Sequence, residues 1–219
     1  MEHAIKIMIY IHAFFGGIGL ITGLGSVIVQ KGSNIHKKLG TAFSYSMILS
    51  SIISLIVARM PNHENLFLFL IGIFTIYLVL SGTRALKLRA KYKTKADLMD
   101  KIISGSMLLL SLIMLSVGII GILQEIANSI LYVFFGGFGL LMSIKDFRTF
   151  KTFSSNKNAW IKSHIGRMVG ALIASITAFM VAGLNIGTVV VWITPTIVGT
   201  IYIIFWTRKF SNPKVVVKE

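Results

Sequence analysis

The chain has 219 residues, of which 55% are hydrophobic and 13% are charged, and its mean hydropathy is +0.82. Polar groups are too few to cover a soluble surface, so the composition predicts that lipid covers it instead. The absence of cysteine excludes disulfides, thiolate metal sites and cysteine nucleophiles.

Seven apolar segments alternate with polar ones along the chain. They cover approximately 5–29, 40–58, 66–83, 102–124, 129–144, 166–186 and 188–206. Most approach the ~20 residues that a helix needs to cross the hydrocarbon core of a membrane. The fifth is short, and we expect it to extend at either end. The sequence therefore predicts an all-α integral membrane protein, with seven transmembrane helices in a single domain over residues 1–219.

The formal charge of +15 could indicate nucleic acid, but the basic residues do not gather on one face. Every Lys and Arg except Lys6 and Arg59 follows helix 1, 3, 5 or 7. The positive-inside rule then predicts an N-terminus outside and a C-terminus in the cytoplasm, in a bacterial cytoplasmic membrane. The expected partners are the bilayer and its anionic headgroups rather than nucleic acid, and a homo-oligomer stays open.

A short motif occurs twice. Phe-Phe-Gly-Gly-Ile-Gly-Leu at 14–20, in helix 1, returns as Phe-Phe-Gly-Gly-Phe-Gly-Leu at 134–140, in helix 5. Helices 2 and 6 both have small residues at intervals of four, and helices 3 and 7 both end in a Thr-Arg pair preceded by a tyrosine. Small residues let helices approach closely, so packing alone could explain the stripes.

Together these matches predict two parallel three-helix repeats, at about 5–84 and 129–208, joined by a linker helix at about 102–124. This 3+1+3 order resembles that of the SWEET-type transporters, in which a cavity lies between the repeats. The proline-glutamine pair of those transporters is absent here. A second resemblance involves His12 and the entry to helix 2, His36-Lys-Lys-Leu-Gly40. These residues resemble a family of bacterial predicted membrane proteins classed as a domain of unknown function, and that resemblance implies no activity.

One set of candidate ligands lies within the spans. His12 is inside helix 1, where an ionisable side chain is a functional hypothesis by default, although a structural hydrogen bond between helices is an equal alternative. Tyr132 occupies the matching region of helix 5, and Asn185 and Thr194 add polar groups near helix 7. We expect these four side chains to bind a small solute or ion.

A second set, His36, Arg84, His164 and Arg167, is expected at the cytoplasmic side. It could bind an anionic group or act as a gate. His36 and His164 begin corresponding helices, and two imidazoles there could ligate a metal or the iron of a haem. Histidines at the membrane interface that simply cap helices are the alternative explanation.

Two classes of function follow. The protein either binds and translocates a small solute or ion between the repeats, or ligates haem or a metal and transfers electrons, as diheme cytochromes of the b561 type do. Helix 7 has no lysine for a retinal Schiff base and no histidine for a zinc hydrolase site, which disfavours both of those seven-helix classes. The haem alternative prefers histidines on facing sides of central helices, whereas most here lie at helix ends. The sequence therefore favours translocation. It leaves the cofactor unknown, with haem or a metal as the alternative that is not favoured.

Overall fold

The computed structural model describes residues 2–88, 95–152, 158–186 and 188–211. Within them the chain is helical, with no strand. The helices are α1 (Glu2–Ile28), α2 (Asn34–Val57), α3 (Leu66–Ala85), α4 (Leu98–Leu123), α5 (Ser129–Thr152), α6 (Ala159–Ala178) and α7 (Val189–Lys209). A short 3-10 helix, Leu86–Leu88, follows α3, and a π-helical segment, Phe179–Gly183, follows α6.

Among the described residues, seven helices are long and apolar enough to cross a membrane. This confirms the predicted all-α class and the number of spans, and it is the composition of an integral membrane protein. Several of the basic residues that predicted the orientation lie outside the described residues. They are Arg89, Lys91, Lys93, Lys157, Lys214 and Lys218.

Several helices extend beyond the predicted apolar segments. α2 begins at Asn34 rather than at 40, α6 begins at Ala159 rather than at 166, and α5 continues to Thr152, which confirms the expected extension of the fifth helix. Hydropathy marks only the apolar part of a span. The backbone hydrogen bonds of a helix continue through turns with Lys and Arg, whose long side chains can reach water.

Capping groups determine the turn between α1 and α2. Lys31 Nζ donates to the carbonyl of Val27 and to that of Ser26 at 3.2 Å, so it satisfies carbonyls at the end of α1. Burial lowers the pKa of Lys31. Ser33 is the N-cap of α2, because its Oγ accepts a hydrogen bond from the backbone N–H of His36 at 3.1 Å.

The chain forms two compact units. The first comprises Met1–Val79 and Gly170–Thr196, and the second comprises Leu80–Val169 and Ile197–Glu219. The first unit therefore contains α1, α2 and most of α3, whereas α4 and α5 belong to the second unit. The remaining helices, α6 and α7, contribute a segment to each.

In the first unit, α1 packs closely against α2 through its glycines. A Cβ added at Gly23 would lie 2.8 Å from the ring of Phe43, and one at Gly16 would lie 3.3 Å from the Oγ of Ser50. Gly19 faces Met47 at a similarly close approach. Since a side chain at these positions would displace the facing side chains of α2, the glycines serve helix packing, as the sequence indicated.

In the second unit, the other copy of the motif packs α5 against α4. A Cβ at Gly136 would lie 3.0 Å from the backbone oxygen of Ser111, and Gly139 faces Met107 and Ser111. The partner helix therefore precedes the motif in sequence here, whereas in the first unit it follows the motif. The repeated motif thus packs closely against the following helix in one unit and against the preceding helix in the other.

Candidate functional site

A group of ion pairs lies in the second unit, beginning at the last turn of α3. There Arg84 makes two ion pairs: its Nε donates to Asp100 Oδ1 and its Nη2 to Asp97 Oδ1, both at 2.5 Å. The side chain of Asp100 is only 2% exposed, whereas that of Asp97 is 46% exposed. Arg84 therefore joins a carboxylate at the surface to one in the interior.

The same two aspartates begin α4. Asp97 is its N-cap and accepts a hydrogen bond from the N–H of Asp100, while Asp100 Oδ2 accepts one from the N–H of Asp97 at 3.1 Å. This reciprocal capping box satisfies two backbone donors that the helix leaves without partners. The carboxylates are thus positioned by the start of the helix as well as by Arg84.

A second buried ion pair joins α5 and α6. Arg167 Nη2 lies 2.5 Å from Asp146 Oδ1, and both side chains are at most 5% exposed. The guanidinium also donates to the backbone oxygen of Met142 at 2.6 Å. From α4, Ser104 Oγ donates to Asp146 Oδ2 at 3.0 Å. Asp146 is therefore held by side chains from two neighbouring helices.

We call these residues the ionic cluster: Arg84, Asp97, Asp100, Ser104, Asp146 and Arg167. A small cleft lies between the Arg84–Asp100 pair and Asp146. Its lining includes Arg84, Asp100, Ser104, Asp146, Ser81 and Ser163. Its free volume is about 10 Å³, near the minimum that holds one water molecule. The cluster thus surrounds a space for a water or a proton, without room for an organic solute.

Burying the charges of the ionic cluster costs a large desolvation free energy. Two Asp–Arg pairs leave water in a chain whose helices are otherwise apolar, and desolvation of each ion offsets much of the attraction between them. Such pairs persist only when further hydrogen bonds satisfy the remaining donors and acceptors. Here the capping box, Ser104 and the carbonyl of Met142 provide several of those bonds, whereas the Nε of Arg167 has no hydrogen-bond acceptor among the described residues.

His12, the first predicted ligand, makes a reciprocal contact in the first unit. Its Nδ1 lies 2.9 Å from the backbone oxygen of Ser50, and Ser50 Oγ donates to the backbone oxygen of His12 at 3.0 Å. Ser50 Oγ also lies 2.9 Å from Nδ1, so the tautomer of His12 decides whether Nδ1 donates to the carbonyl or accepts from the hydroxyl. The interhelix hydrogen bond that the sequence left open as an alternative is therefore present between α1 and α2.

The other predicted ligands lie as follows. Asn185, in the first unit, is exposed and has a left-handed φ of 56° after the π-helical segment. Thr194 is also exposed in that unit, and its Oγ1 donates to the carbonyl of Val190 at 2.7 Å. Tyr132 is half-buried and belongs to the second unit. The first unit thus contains His12, Asn185 and Thr194, with no direct hydrogen bond among the three.

The predicted cytoplasmic set divides between the units. Arg84, His164 and Arg167 belong to the second unit, where His164 Nδ1 donates to the carbonyl of Gly82 at 2.9 Å. His36 belongs to the first unit and donates from Nδ1 to the carbonyl of Ser26 at 3.0 Å. Among the described residues, no group of three His, Cys, Asp or Glu side chains could hold a metal ion.

Sequence reasoning found the two arginines but missed Asp97, Asp100, Ser104 and Asp146. A signal was present: the chain has only seven acidic residues against 22 basic ones. All three of its aspartates lie at helix ends rich in Lys and Arg. A carboxylate at the edge of a span with a basic residue in the adjacent span is the pattern that could have identified the cluster.

Comparison of the chain with protein-family models, with curated proteins and with solved structures finds no match. The functional argument therefore depends on the residues themselves.

Proposed function

We propose that the protein binds and translocates a small ion or solute across a membrane, and that the ionic cluster binds or gates it. The observation that carries this proposal is the pair of buried contacts Arg84–Asp100 and Arg167–Asp146. Both lie in helices long and apolar enough to be membrane spans. Ionisable side chains in spans are costly, and in transporters and pumps they mark the paths of ions and protons.

The contacts of Arg84 support a role in gating. Its guanidinium has two carboxylate acceptors, one half-exposed and one buried, so it can keep one ion pair while the other opens. An element with two arrangements of similar energy is what a transport cycle requires. On α5, Asp146 is contacted from both α4 and α6, so a change in its charge acts on three helices.

The orientation in the membrane and the internal repeat are also part of the proposal. The N-terminus lies outside and the C-terminus in the cytoplasm of a bacterial inner membrane, and the basic loops contact anionic headgroups. Two parallel three-helix repeats with a linker helix remain our proposed origin of the duplicated motif. The helix ends that form the ionic cluster are then the cytoplasmic ones, because they adjoin the basic loops.

The ionic cluster takes precedence over His12, Tyr132, Asn185 and Thr194 as the binding site. It brings together several charged groups within hydrogen-bond distance, whereas His12 and Thr194 make hydrogen bonds to the backbone. We propose the latter four as secondary contacts along the path of the solute.

Flux through reconstituted protein tests the proposal. Purified protein in liposomes is assayed with ion-sensitive dyes and with labelled small metabolites. The double variant Asp146→Asn/Arg167→Gln removes both charges of one pair, so it leaves no uncompensated buried ion. Glu125→Gln, which neutralises an exposed carboxylate outside the cluster, is the matched control.

We expect flux in the wild-type protein and in Glu125→Gln, and a loss of at least about tenfold in the double variant, equivalent to about 1.4 kcal/mol. Circular dichroism verifies that each protein is folded. Wild-type protein that is folded and transports none of the ions or metabolites contradicts the proposal. Equal flux in the double variant contradicts the role of the ionic cluster.

Haem or metal binding is the second candidate. The observation that favours it is that His36 and His164 both donate from Nδ1 to a backbone carbonyl. Metal-binding histidines commonly use this arrangement, which directs Nε2 toward the metal. An absorbance spectrum of purified protein tests it: a Soret band that disappears on replacing either histidine supports haem, and a colourless, metal-free protein refutes it.

A further inference from the structure

The size of the cleft limits what the ionic cluster can bind. Its free volume of about 10 Å³ approaches that of one water molecule, so a metabolite would need a much larger rearrangement. A proton adds no volume, and a single water with the neighbouring hydroxyls of Ser81, Ser104 and Ser163 suffices to deliver it. On size alone, the proton is the species that fits the site as it stands.

The charges around the cleft also favour a proton over other ions. A metal cation in the cleft would face Arg84, and one oxygen each of Asp100 and Asp146 is already occupied by an arginine. An anion would face the aspartates themselves. A proton needs only one carboxylate oxygen, so neither obstacle applies to it.

The hydrogen bonds distinguish Asp146 from Asp100. Both oxygens of Asp100 accept from groups that can only donate, the Nε–H of Arg84 and the backbone N–H of Asp97. At Asp146, Oδ2 instead faces the hydroxyl of Ser104 at 3.0 Å. A hydroxyl both donates and accepts, so it can donate to the carboxylate and then accept from the carboxylic acid.

We infer that Asp146 is a proton-binding site and that the proton is the ion coupled to translocation. This inference rests on the proposed function and names the ion that the ionic cluster carries. A hydronium ion that reaches the cleft transfers its proton to Oδ2 and leaves a water molecule, and Ser104 turns its O–H away and accepts a hydrogen bond from the new acid. Protonation removes the charge that holds Arg167 to Asp146, so that at this contact α6 is linked to α5 only by weaker bonds such as that from Arg167 to the carbonyl of Met142.

The charged groups around Asp146 agree with this role. Arg167 on α6 keeps its bond to the carbonyl of Met142 when Asp146 is neutral, so its charge retains an acceptor. Across the cleft, α4 contributes Asp100 and α3 contributes Arg84, which compensate each other. On α5 itself, Lys145 is exposed and adds positive charge at the edge of the site, where it favours release of the proton.

Infrared spectroscopy of the protein in liposomes measures the proton directly, because a carboxylic acid and a carboxylate absorb at different frequencies. The other six Asp and Glu side chains contribute to the spectra of both proteins. In the difference between the wild-type spectrum and that of Asp146→Asn/Arg167→Gln, we therefore expect a carboxylic acid band that rises as the pH falls. A difference spectrum without this band overturns the inference.

Two serines of α4 provide a matched pair for the proton path. Ser104 and Ser111 are both at most 1% exposed, but only Ser104 bonds Asp146. Ser104→Ala should reduce proton flux about tenfold, roughly the effect of one lost hydrogen bond. We expect Ser104→Thr to restore the flux and Ser111→Ala to leave it unchanged. Equal effects of the two alanine substitutions would contradict a role for the hydroxyl.

The two proposals fail separately. If the protein transports a solute with no dependence on a pH gradient and no titrating band, translocation stands and proton coupling is refuted. If the difference band of Asp146 titrates but the liposomes show no flux of any kind, Asp146 remains a proton-binding residue and translocation is refuted.

Discussion

In the first unit, glycines of α1 allow it to approach α2, and in the second unit the repeated glycines of α5 allow it to approach α4. The polar contacts that accompany these two approaches differ. His12 and Ser50 join α1 to α2 by hydrogen bonds alone, whereas α4 and α5 are joined through Ser104 and the charged Asp146. Asp146 also binds Arg167 on α6.

This difference distinguishes contacts that pack helices together from contacts that could bind an ion. Glycines bring two backbones close in either unit, because van der Waals contact between small residues stabilises helices in lipid. The hydrogen bond between His12 and Ser50 adds a modest and neutral link. The ionic cluster instead contains charges whose burial costs more than packing requires, which is why we assign the function to the second unit.

The largest expected effect comes from Arg167→Met, which leaves Asp146 buried without its cation. Removing one partner of a buried pair costs about 3–5 kcal/mol. Unfolding in detergent measures the change in the free energy of unfolding. Arg167→Met/Asp146→Leu should recover most of this loss, since it removes both charges; a double variant as unstable as the single one would contradict the ion-pair explanation.

Gly136→Ala should have the next largest effect and tests the approach of α5 to α4. The new Cβ would lie 3.0 Å from the backbone oxygen of Ser111, which cannot move without its helix. Overpacking of this kind costs about 1–3 kcal/mol. The corresponding Gly16→Ala meets the rotatable Oγ of Ser50 at 3.3 Å, so it should cost less. Equal losses in thermal unfolding would mean that the two approaches are equally rigid.

The bond between His12 and Ser50 should contribute a smaller free energy. Hydrogen bonds between membrane helices average about 0.6 kcal/mol in double-mutant cycles. A cycle of His12→Phe, Ser50→Ala and the double variant isolates this term in unfolding measurements. A coupling of several kcal/mol would mean that this hydrogen bond stabilises the first unit as much as the ion pair stabilises the second. It would contradict the difference that we draw between the two units.

Gly17→Ala and Gly137→Ala should have the smallest effects, although they adjoin the glycines discussed above in each copy of the motif. A Cβ at either position meets no atom within 4 Å. Alanine is a better helix former than glycine, so the thermal stability should stay the same or rise slightly. A clear loss at either position would show that it contacts another molecule or an ordered lipid in the membrane.

The candidate site was predictable only in part. Arg84, His164 and Arg167 were identified because they are polar residues at the entrances of spans. Their partners Asp100 and Asp146 were not, because a carboxylate beside basic loops resembles an ordinary solvated residue until its neighbours are known. The relation between Ser104 and Asp146 joins residues on different helices, and no spacing within one segment indicates it.

The sequence by itself determined the class of protein. A chain that is 55% hydrophobic must satisfy its backbone within helices when lipid surrounds it, so seven apolar segments of sufficient length imply seven helices. Only the tertiary structure decided which polar groups meet. Helix packing places α4 between its neighbours so that Ser104 reaches Asp146 while Asp100 meets Arg84. Those contacts depend on the rotation of each helix about its axis, which hydropathy does not specify and close packing does.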